Sequence, residues 1–203
     1  MSKALGETGR RIMLAALREL SAGGYSSVSM QKVARAAGVT KPTVYYYFHS
    51  KEGLFAAMLV HAMNGFEELV RREMGSSDSV REGVENLLRS VLRPPGRPDA
   101  DIASVSLAFS SDPGLLRMFP WMSERFAGLV DLLAGTLAQA RESGEIRPGV
   151  NVRLAAKMLI STVRMCLLAQ DETVTYGCRG ELVDILFAGI GRDHSGVDRG
   201  RES

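Results

Sequence analysis

The stretch VSMQKVARAAGVTKPTVYYYFHSK, from Val28 to Lys51, decides the fold of this chain. Twice within it a small polar residue precedes a short apolar run: Ser29 before the first and Thr40 before the second. Serine and threonine are favoured N-caps because their side-chain oxygens accept hydrogen bonds from the free N–H groups of a helix's first turn. Gly38 ends the first run, since glycine adopts the left-handed conformation without a Cβ penalty. The segment therefore predicts two short helices joined by a tight turn.

The apolar positions of each short helix fall on one face. They are Met30, Val33, Ala34 and Ala37 in the first helix, and Val44 and Phe48 in the second. Pro42 is tolerated in the first turn of the second helix, where a missing N–H costs little. Ser50 is placed to cap a third helix that begins at Lys51. Two small helices that meet at an Ala-Ala-Gly turn pack closely, as a helix-turn-helix requires, and this unit suits duplex DNA.

These residues resemble the N-terminal DNA-binding domain of the TetR family of bacterial regulators. The resemblance is carried by GYSSVSM at 24–30 and by VARAAGVTKPTVYYYFHSKEGLF at 33–55. It covers about residues 6–66 and is specific, because the motif spans many fixed positions. Beyond residue 66 the similarity is one of architecture only.

The resemblance implies that the second short helix reads base edges in the major groove while flanking groups hold phosphates. Lys41 has the charge and length to donate to guanine, Thr43 suits a thymine methyl, and Gln31 suits adenine. Lys51 lies at a helix N-terminus, where its charge and the free N–H groups can grip one phosphate together. The expected DNA-binding residues are Gln31, Thr40, Lys41, Pro42, Thr43, Tyr45, Tyr46, Tyr47 and Lys51.

Two of these residues have a structural alternative. Thr40 is a cap before it is a base reader. One of three adjacent tyrosines must lie near the interior of the domain, and Tyr47 is predicted to be half-buried. The family often has histidine at that position, which leaves the role of Tyr47 open.

Composition predicts an all-α protein of about nine helices. Hydrophobic residues make up 45% of the 203 residues, and the β-branched alternation of strands is nearly absent. Helical spacing places the helices at about 6–22, 30–37, 41–48, 51–74, 79–92, 100–109, 113–141, 152–170 and 179–190. Residues 1–60 hold eight Lys and Arg against three acids, whereas the remainder holds 17 bases against 20 acids. Positive charge therefore coincides with the DNA-binding motif, as binding to phosphates favours.

We expect three segments: a DNA-binding domain at 6–66, a ligand-binding and dimerisation domain at 67–191, and a disordered Gly-, Asp- and Arg-rich tail at 192–203. Methionine and aromatic side chains suit an adaptable ligand pocket, although such stripes are more often plain core. The predicted pocket residues are Phe66, Phe109, Met118, Trp121, Met122, Phe126, Arg164 and Met165. The last two predicted helices are expected to form a dimer interface through Met158, Leu159, Thr162, Leu182, Val183, Leu186 and Phe187.

Other classes of protein find little support in the sequence. No nucleophile elbow, phosphate-binding glycine loop or His-Glu-x-x-His motif occurs, and the three histidines are scattered. We therefore predict no enzyme activity, no cofactor and no metal. The N-terminus has no signal-peptide pattern and no apolar run approaches the ~20 residues that span a bilayer. A bacterial cytoplasmic, nucleoid-associated protein is expected, in which Cys166 and Cys178 are free thiols.

The sequence thus predicts a homodimeric transcriptional repressor that binds a palindromic operator in double-stranded DNA and is released by a small-molecule effector. One alternative is an activator or DNA-organising protein that uses the same domain without an inducer. A less favoured alternative is a small-molecule enzyme or carrier with a vestigial DNA-binding domain.

Overall fold

A computed structural model describes residues 6–91, 118–169 and 179–190, which form eight α-helices. They are α1 (Glu7–Ser27), α2 (Met30–Ala37), α3 (Lys41–Phe48), α4 (Lys51–Gly75), α5 (Val80–Val91), α6 (Met122–Glu142), α7 (Val152–Ala169) and α8 (Arg179–Ile190). Within these ranges there is no strand, so the all-α prediction is confirmed. The predicted helix at 100–109, the side chain of Cys166, the whole of Cys178 and the tail lie outside the described residues.

The first helix continues past its predicted end. The sequence predicts its end at about residue 22, and Gly24 does leave helical geometry, with φ 72° and ψ 174°. A further turn then runs to Ser27, whose hydroxyl donates a 2.9 Å hydrogen bond to the carbonyl oxygen of Gly24. Glycine at 24 therefore makes a kink that lets the chain turn toward α2, rather than a stop.

The sequence predicts a helix from 113 to 141 that can bend near Pro120, and in the described part the helix is interrupted at that point. Met118 is helical, the chain leaves helical geometry at Phe119–Trp121, and α6 begins only at Met122. Pro120 lacks the N–H that a helix interior requires, which favours a break here. Burial of Phe119, which is 5% exposed, favours it as well.

The buried side chains divide into two clusters. The N-terminal core consists of apolar residues of α1 to α4, from Ile12 to Ala62, together with Phe119. The C-terminal core begins at Leu69 and continues through α5, α6, α7 and α8 to Phe187. The long α4 contributes to both clusters, so it joins the two halves of the protein mechanically.

The C-terminal helices pack against one another and are connected by ion pairs. The α6 helix packs along α7, and α5 packs between α4 and α8. Arg125 on α6 lies 3.1 Å from the Glu67 carboxylate on α4. Asp131 on α6 pairs with Arg153 on α7. Among the described residues, no helix has the length and apolar character needed to cross a membrane.

Candidate nucleic-acid interface

The α3 helix is anchored on one side and exposed on the other. Val44 and Phe48 are buried in the N-terminal core, four residues apart. Tyr45 and Tyr46, which lie between them, are 41% and 71% exposed, and Lys41 at the helix start is also exposed. An apolar anchor at this spacing fixes the helix while presenting its polar face to a ligand.

The start of α3 is fixed by its cap. The Thr40 hydroxyl accepts a 3.3 Å hydrogen bond from the backbone N–H of Thr43, and the two hydroxyl oxygens are 2.8 Å apart. Pro42 lies in the first turn, as the sequence predicted. The Lys41 ammonium lies 5.8 Å from the centre of the Tyr45 ring. The residues expected to meet base edges therefore project from a pre-ordered helix N-terminus.

The turn between α2 and α3 is equally defined. Ser29 caps α2 by accepting a 3.2 Å hydrogen bond from the N–H of Lys32, and the neighbouring Gln31 is exposed. Gly38 ends α2 in the left-handed conformation, with φ 65°. The guanidinium of Arg11 donates a 2.6 Å hydrogen bond to the carbonyl oxygen of Ala37. That bond ties α1 to the end of α2 and satisfies one of the free carbonyls of the helix terminus.

The Tyr47 side chain is half-buried against the N-terminal core, as predicted. Its ring meets the Tyr46 ring edge to face, with centroids 5.5 Å apart. Edge-to-face packing is a favoured arrangement for aromatic pairs, so the half-buried Tyr47 ring helps to fix the position of the exposed Tyr46 ring. Its contact with DNA stays a prediction.

The start of α4 carries a cluster that the sequence did not indicate. The Lys51 ammonium lies 4.1 Å from the centre of the Tyr25 ring, and the Tyr25 hydroxyl donates a 3.2 Å hydrogen bond to the Glu52 carboxylate. Burial, with the Glu52 charge and hydrogen bond, raises the pKa of Tyr25 to about 12. Burial lowers the pKa of Lys51, against the opposing effect of Glu52. Backbone hydrogen bonding and the Ser50 hydroxyl lower the pKa of Glu52.

This geometry was compared with known proteins. Residues 12–58 match the family model described as bacterial regulatory proteins, tetR family. An uncharacterised HTH-type transcriptional regulator of Mycobacterium bovis is 30% identical over 164 residues, covering 79% of this chain and 80% of the relative. The chain belongs to the tetR family. A fatty acid metabolism regulator protein of Bacillus subtilis is 28% identical over 167 residues, which are 81% of this chain and 80% of that protein.

Solved structures of regulators share the fold of this tetR-family chain. The transcriptional regulator FadR from Bacillus subtilis, in complex with stearoyl-CoA, is 23% identical, with a TM-score of 0.73 over 89% of this chain and 98% of that one. The regulator AibR, in complex with isovaleryl coenzyme A and operator DNA, is 24% identical, with a TM-score of 0.69 over 89% of this chain and 98% of its own. These proteins are named as regulators, not as enzymes, and this tetR-family chain is a DNA-binding transcriptional regulator.

The predicted pocket residues that the structure describes divide between the two cores and the surface of this regulator. Trp121 and Met122 pack against the N-terminal core, whereas Phe66 packs against the C-terminal core. Met118, Phe126 and Met165 are exposed at 42%, 42% and 63%. Phe109 and the Arg164 side chain lie outside the described residues. Trp121 and Met122 lie on the N-terminal side because Phe119, beside them in the chain, is buried in that core. The pocket itself stays a prediction.

The predicted dimer residues divide in the same way. Leu159, Val183 and Phe187 are buried within the C-terminal core of one protomer. These three side chains therefore hold α7 and α8 against the core and do not reach the exposed surface of the protomer. Thr162, Leu182 and Leu186 are half-buried. Among the described side chains of the two helices, the large apolar ones that are exposed are Leu154, Met158, Met165 and Ile185, of which the dimer prediction included only Met158.

Proposed function

We propose that this regulator is a repressor that binds a palindromic operator as a homodimer and is released by a small-molecule effector. The observation that carries the proposal is the presentation of α3, which exposes Lys41, Tyr45 and Tyr46 from a capped and anchored helix. Thr43 on α3 belongs to the same proposed surface, which Gln31 on α2 and Lys51 on α4 would extend on either side. As a DNA-binding protein it would act in the bacterial cytoplasm, at the nucleoid. Enzyme activity forms no part of the proposal.

An exposed apolar face supports the dimer. Leu154, Met158 and Met165 recur on one side of α7 and are more than half exposed, and Ile185 on α8 is 72% exposed. Apolar side chains exposed at such spacing on a surface helix are typical of a helix-bundle interface. A two-fold dimer would also present two α3 helices to the two half-sites of a palindrome, about one helical turn apart.

The two cores support a division of the chain into a DNA-binding domain at 6–66 and an effector and dimerisation domain at 67–191. Ala62 is the last α4 residue in the N-terminal core, and Leu69 is the first α4 residue in the C-terminal core. Because α4 belongs to both, an effector that tilts it would change the separation of the two α3 helices. A coupling free energy of ~1–3 kcal/mol would change operator affinity by a several-fold to hundred-fold factor.

We further propose an acyl-CoA thioester as the effector class. The support is the similarity to a fatty acid metabolism regulator protein and the CoA thioesters bound to two structures of this fold. The described residues do not themselves select this class. It is therefore the first class to test and is separable from the operator proposal.

The operator proposal is tested by selecting genomic fragments with purified protein, beside the double variant Lys41→Ala, Tyr45→Ala. We expect a few palindromic sites for the original protein and their loss in the variant, because both side chains are exposed on α3. Weak, salt-sensitive binding to all fragments, equal in both proteins, would contradict operator recognition. It would favour the alternative of a DNA-organising protein.

The effector proposal is tested on the selected operator with acyl-CoA thioesters of increasing chain length. Free coenzyme A and the matching free fatty acids serve as controls. Release by a subset of thioesters alone supports the proposal. Operator binding that no thioester changes would remove the acyl-CoA class, and binding that increases would indicate an activator or co-repressed regulator.

A further inference from the structure

Tyr25 is the centre of a small cluster where the end of α1 meets the start of α4. Its ring meets the Phe55 ring edge to face, with centroids 4.8 Å apart and an interplanar angle of 71°. Its hydroxyl donates a hydrogen bond to the Glu52 carboxylate at 3.2 Å. The ring is therefore held from two sides, by a buried aromatic side chain and by a carboxylate on the same helix as Lys51.

The Lys51 ammonium lies over this ring, 4.1 Å from its centre. A cation over the face of a tyrosine is attracted by the ring's quadrupole, and the contact is closer than the ~6 Å limit for such pairs. The ring faces the ammonium without accepting a conventional N–H···O bond. The three N–H donors of Lys51 thus keep the capacity to bind an anionic oxygen.

Helix stability does not account for a cation at this position. Lys51 is the first residue of α4, after the cap Ser50, and a positive charge at a helix N-terminus opposes the macrodipole. Glu52, the next residue, has the favourable sign for the first turn. The Tyr25 ring offsets the unfavourable placement of Lys51. Such an arrangement is expected where an external anion completes the site.

We infer that Tyr25 is a positioning residue, which holds the Lys51 ammonium at the start of α4 so that it binds a phosphate of the DNA backbone. The inference rests on the proposed DNA-binding surface, and it assigns Tyr25 a role that α3 alone does not require. Glu52 contributes indirectly, since its carboxylate fixes the Tyr25 hydroxyl and thereby the ring.

The test is the salt dependence of DNA affinity for the full chain and its variants. Each phosphate contact contributes about −0.9 to the slope of log K against log salt on duplex DNA. Each protomer of the proposed homodimer loses one contact, so Lys51→Ala is expected to reduce the magnitude of the slope by about 2 per bound dimer and to weaken all sequences alike. Tyr25→Leu, which removes the ring, is expected to reduce it by a similar amount, whereas Tyr25→Phe keeps the ring and the slope.

The double variant Tyr25→Leu, Lys51→Ala provides a thermodynamic cycle. If Tyr25 acts through Lys51, the double variant has the slope and affinity of Lys51→Ala alone. Arg89→Ala is the matched control, because it removes one exposed positive charge from α5. It is expected to leave the slope unchanged. Affinities are corrected for the folded fraction, so a loss of stability in Tyr25→Leu does not imitate the effect.

Two results would overturn the inference. In one, Tyr25→Leu keeps the original slope while Lys51→Ala reduces it, so that Lys51 needs no positioning. In the other, Lys51→Ala itself keeps the slope, so that Lys51 meets no phosphate. Each measurement is repeated on a non-cognate duplex, because phosphate contacts do not depend on sequence. Failure to find an operator would thus count against the proposed function while Tyr25 is still tested.

Discussion

A side chain at Gly53 has no room beside Phe48. A Cβ atom at Gly53 would lie 2.2 Å from the carbonyl oxygen of Phe48, a distance that real Cβ atoms do not adopt. The main chain at the end of α3 thus comes into direct contact with the first turn of α4. The Ser50 hydroxyl accepts a 2.9 Å hydrogen bond from the Gly53 N–H in the same turn. The orientation of α3 relative to α4 therefore depends on glycine at this position.

Gly53→Ala is expected to lower the free energy of unfolding by about 2 kcal/mol or more, since the obstructing atom is backbone and cannot rotate away. Chemical denaturation measures the loss, and operator affinity should fall with it because α3 must move. Gly135→Ala on α6 is the control, since nothing lies within 4 Å of its added Cβ. It should stabilise by about 0.5–1 kcal/mol. Equal stability of the two variants would refute the close approach.

Neighbouring residues of α3 should separate folding from binding. Val44→Ala removes fully buried volume and is expected to lower the free energy of unfolding by about 1–3 kcal/mol. Tyr46→Ala, at a side chain 71% exposed, should change stability by no more than about 0.5 kcal/mol yet weaken DNA binding. Thermal unfolding and DNA titration of both variants check this. A Tyr46→Ala protein with full affinity would place Tyr46 outside the interface.

Alkaline pH should weaken the fold through Tyr25. Its pKa is raised from 10.0 to about 12, so the folded protein retains a phenolic proton that the unfolded chain releases. The contribution of this group to the free energy of unfolding is fully present below pH 10. It decreases as the pH rises from 10.0 and is lost once the pH has passed about 12. Denaturation over that range should show a shallower decline in Tyr25→Phe than in the original protein. Equal declines would show that the phenol does not carry the effect.

The features that the sequence predicted correctly are those determined by residues close together in the chain. The caps at Ser29, Thr40 and Ser50 each accept the bond that their position predicts. The left-handed Gly38 and the buried pair of α3 likewise depend on the chemistry of a few adjacent residues. The helix-turn-helix was therefore predictable almost in full.

Contacts between distant segments were not predictable in this way. Tyr25 meets Lys51 and Glu52 across 26 and 27 positions, and no local periodicity indicates that pairing. Phe119 resembled other aromatic residues of the C-terminal half, yet it packs in the N-terminal core. The helical spacing of apolar residues predicts that a side chain is buried. The core in which it is buried depends on the path of the chain. For this reason the spacing of the predicted pocket residues did not indicate that Trp121 and Met122 pack against the N-terminal core while Phe66 packs against the C-terminal core.

The proposed dimer depends on side chains that one protomer leaves exposed. Ile185→Asp places a charge on the exposed face of α8, where burying it in an interface without a partner is costly. We expect a shift from dimer to monomer in light scattering, with the unfolding of the protomer little changed. Val60→Asp, at another exposed apolar side chain on α4, should remain dimeric. A dimeric Ile185→Asp protein would move the interface elsewhere.

Phe119 should report the coupling of the two halves. Because its ring is 5% exposed in the N-terminal core, Phe119→Ala is expected to lower the free energy of unfolding by about 3–5 kcal/mol. Hydrogen exchange should accelerate in α1 and the first half of α4 more than in α7, since the cavity opens in the DNA-binding half. Phe126→Ala on α6, at a side chain 42% exposed, should change stability by about 0.5 kcal/mol or less. Faster exchange confined to α6 and α7 would show that Phe119 stabilises the C-terminal core. The segment at Phe119–Trp121 would then not connect the two domains energetically.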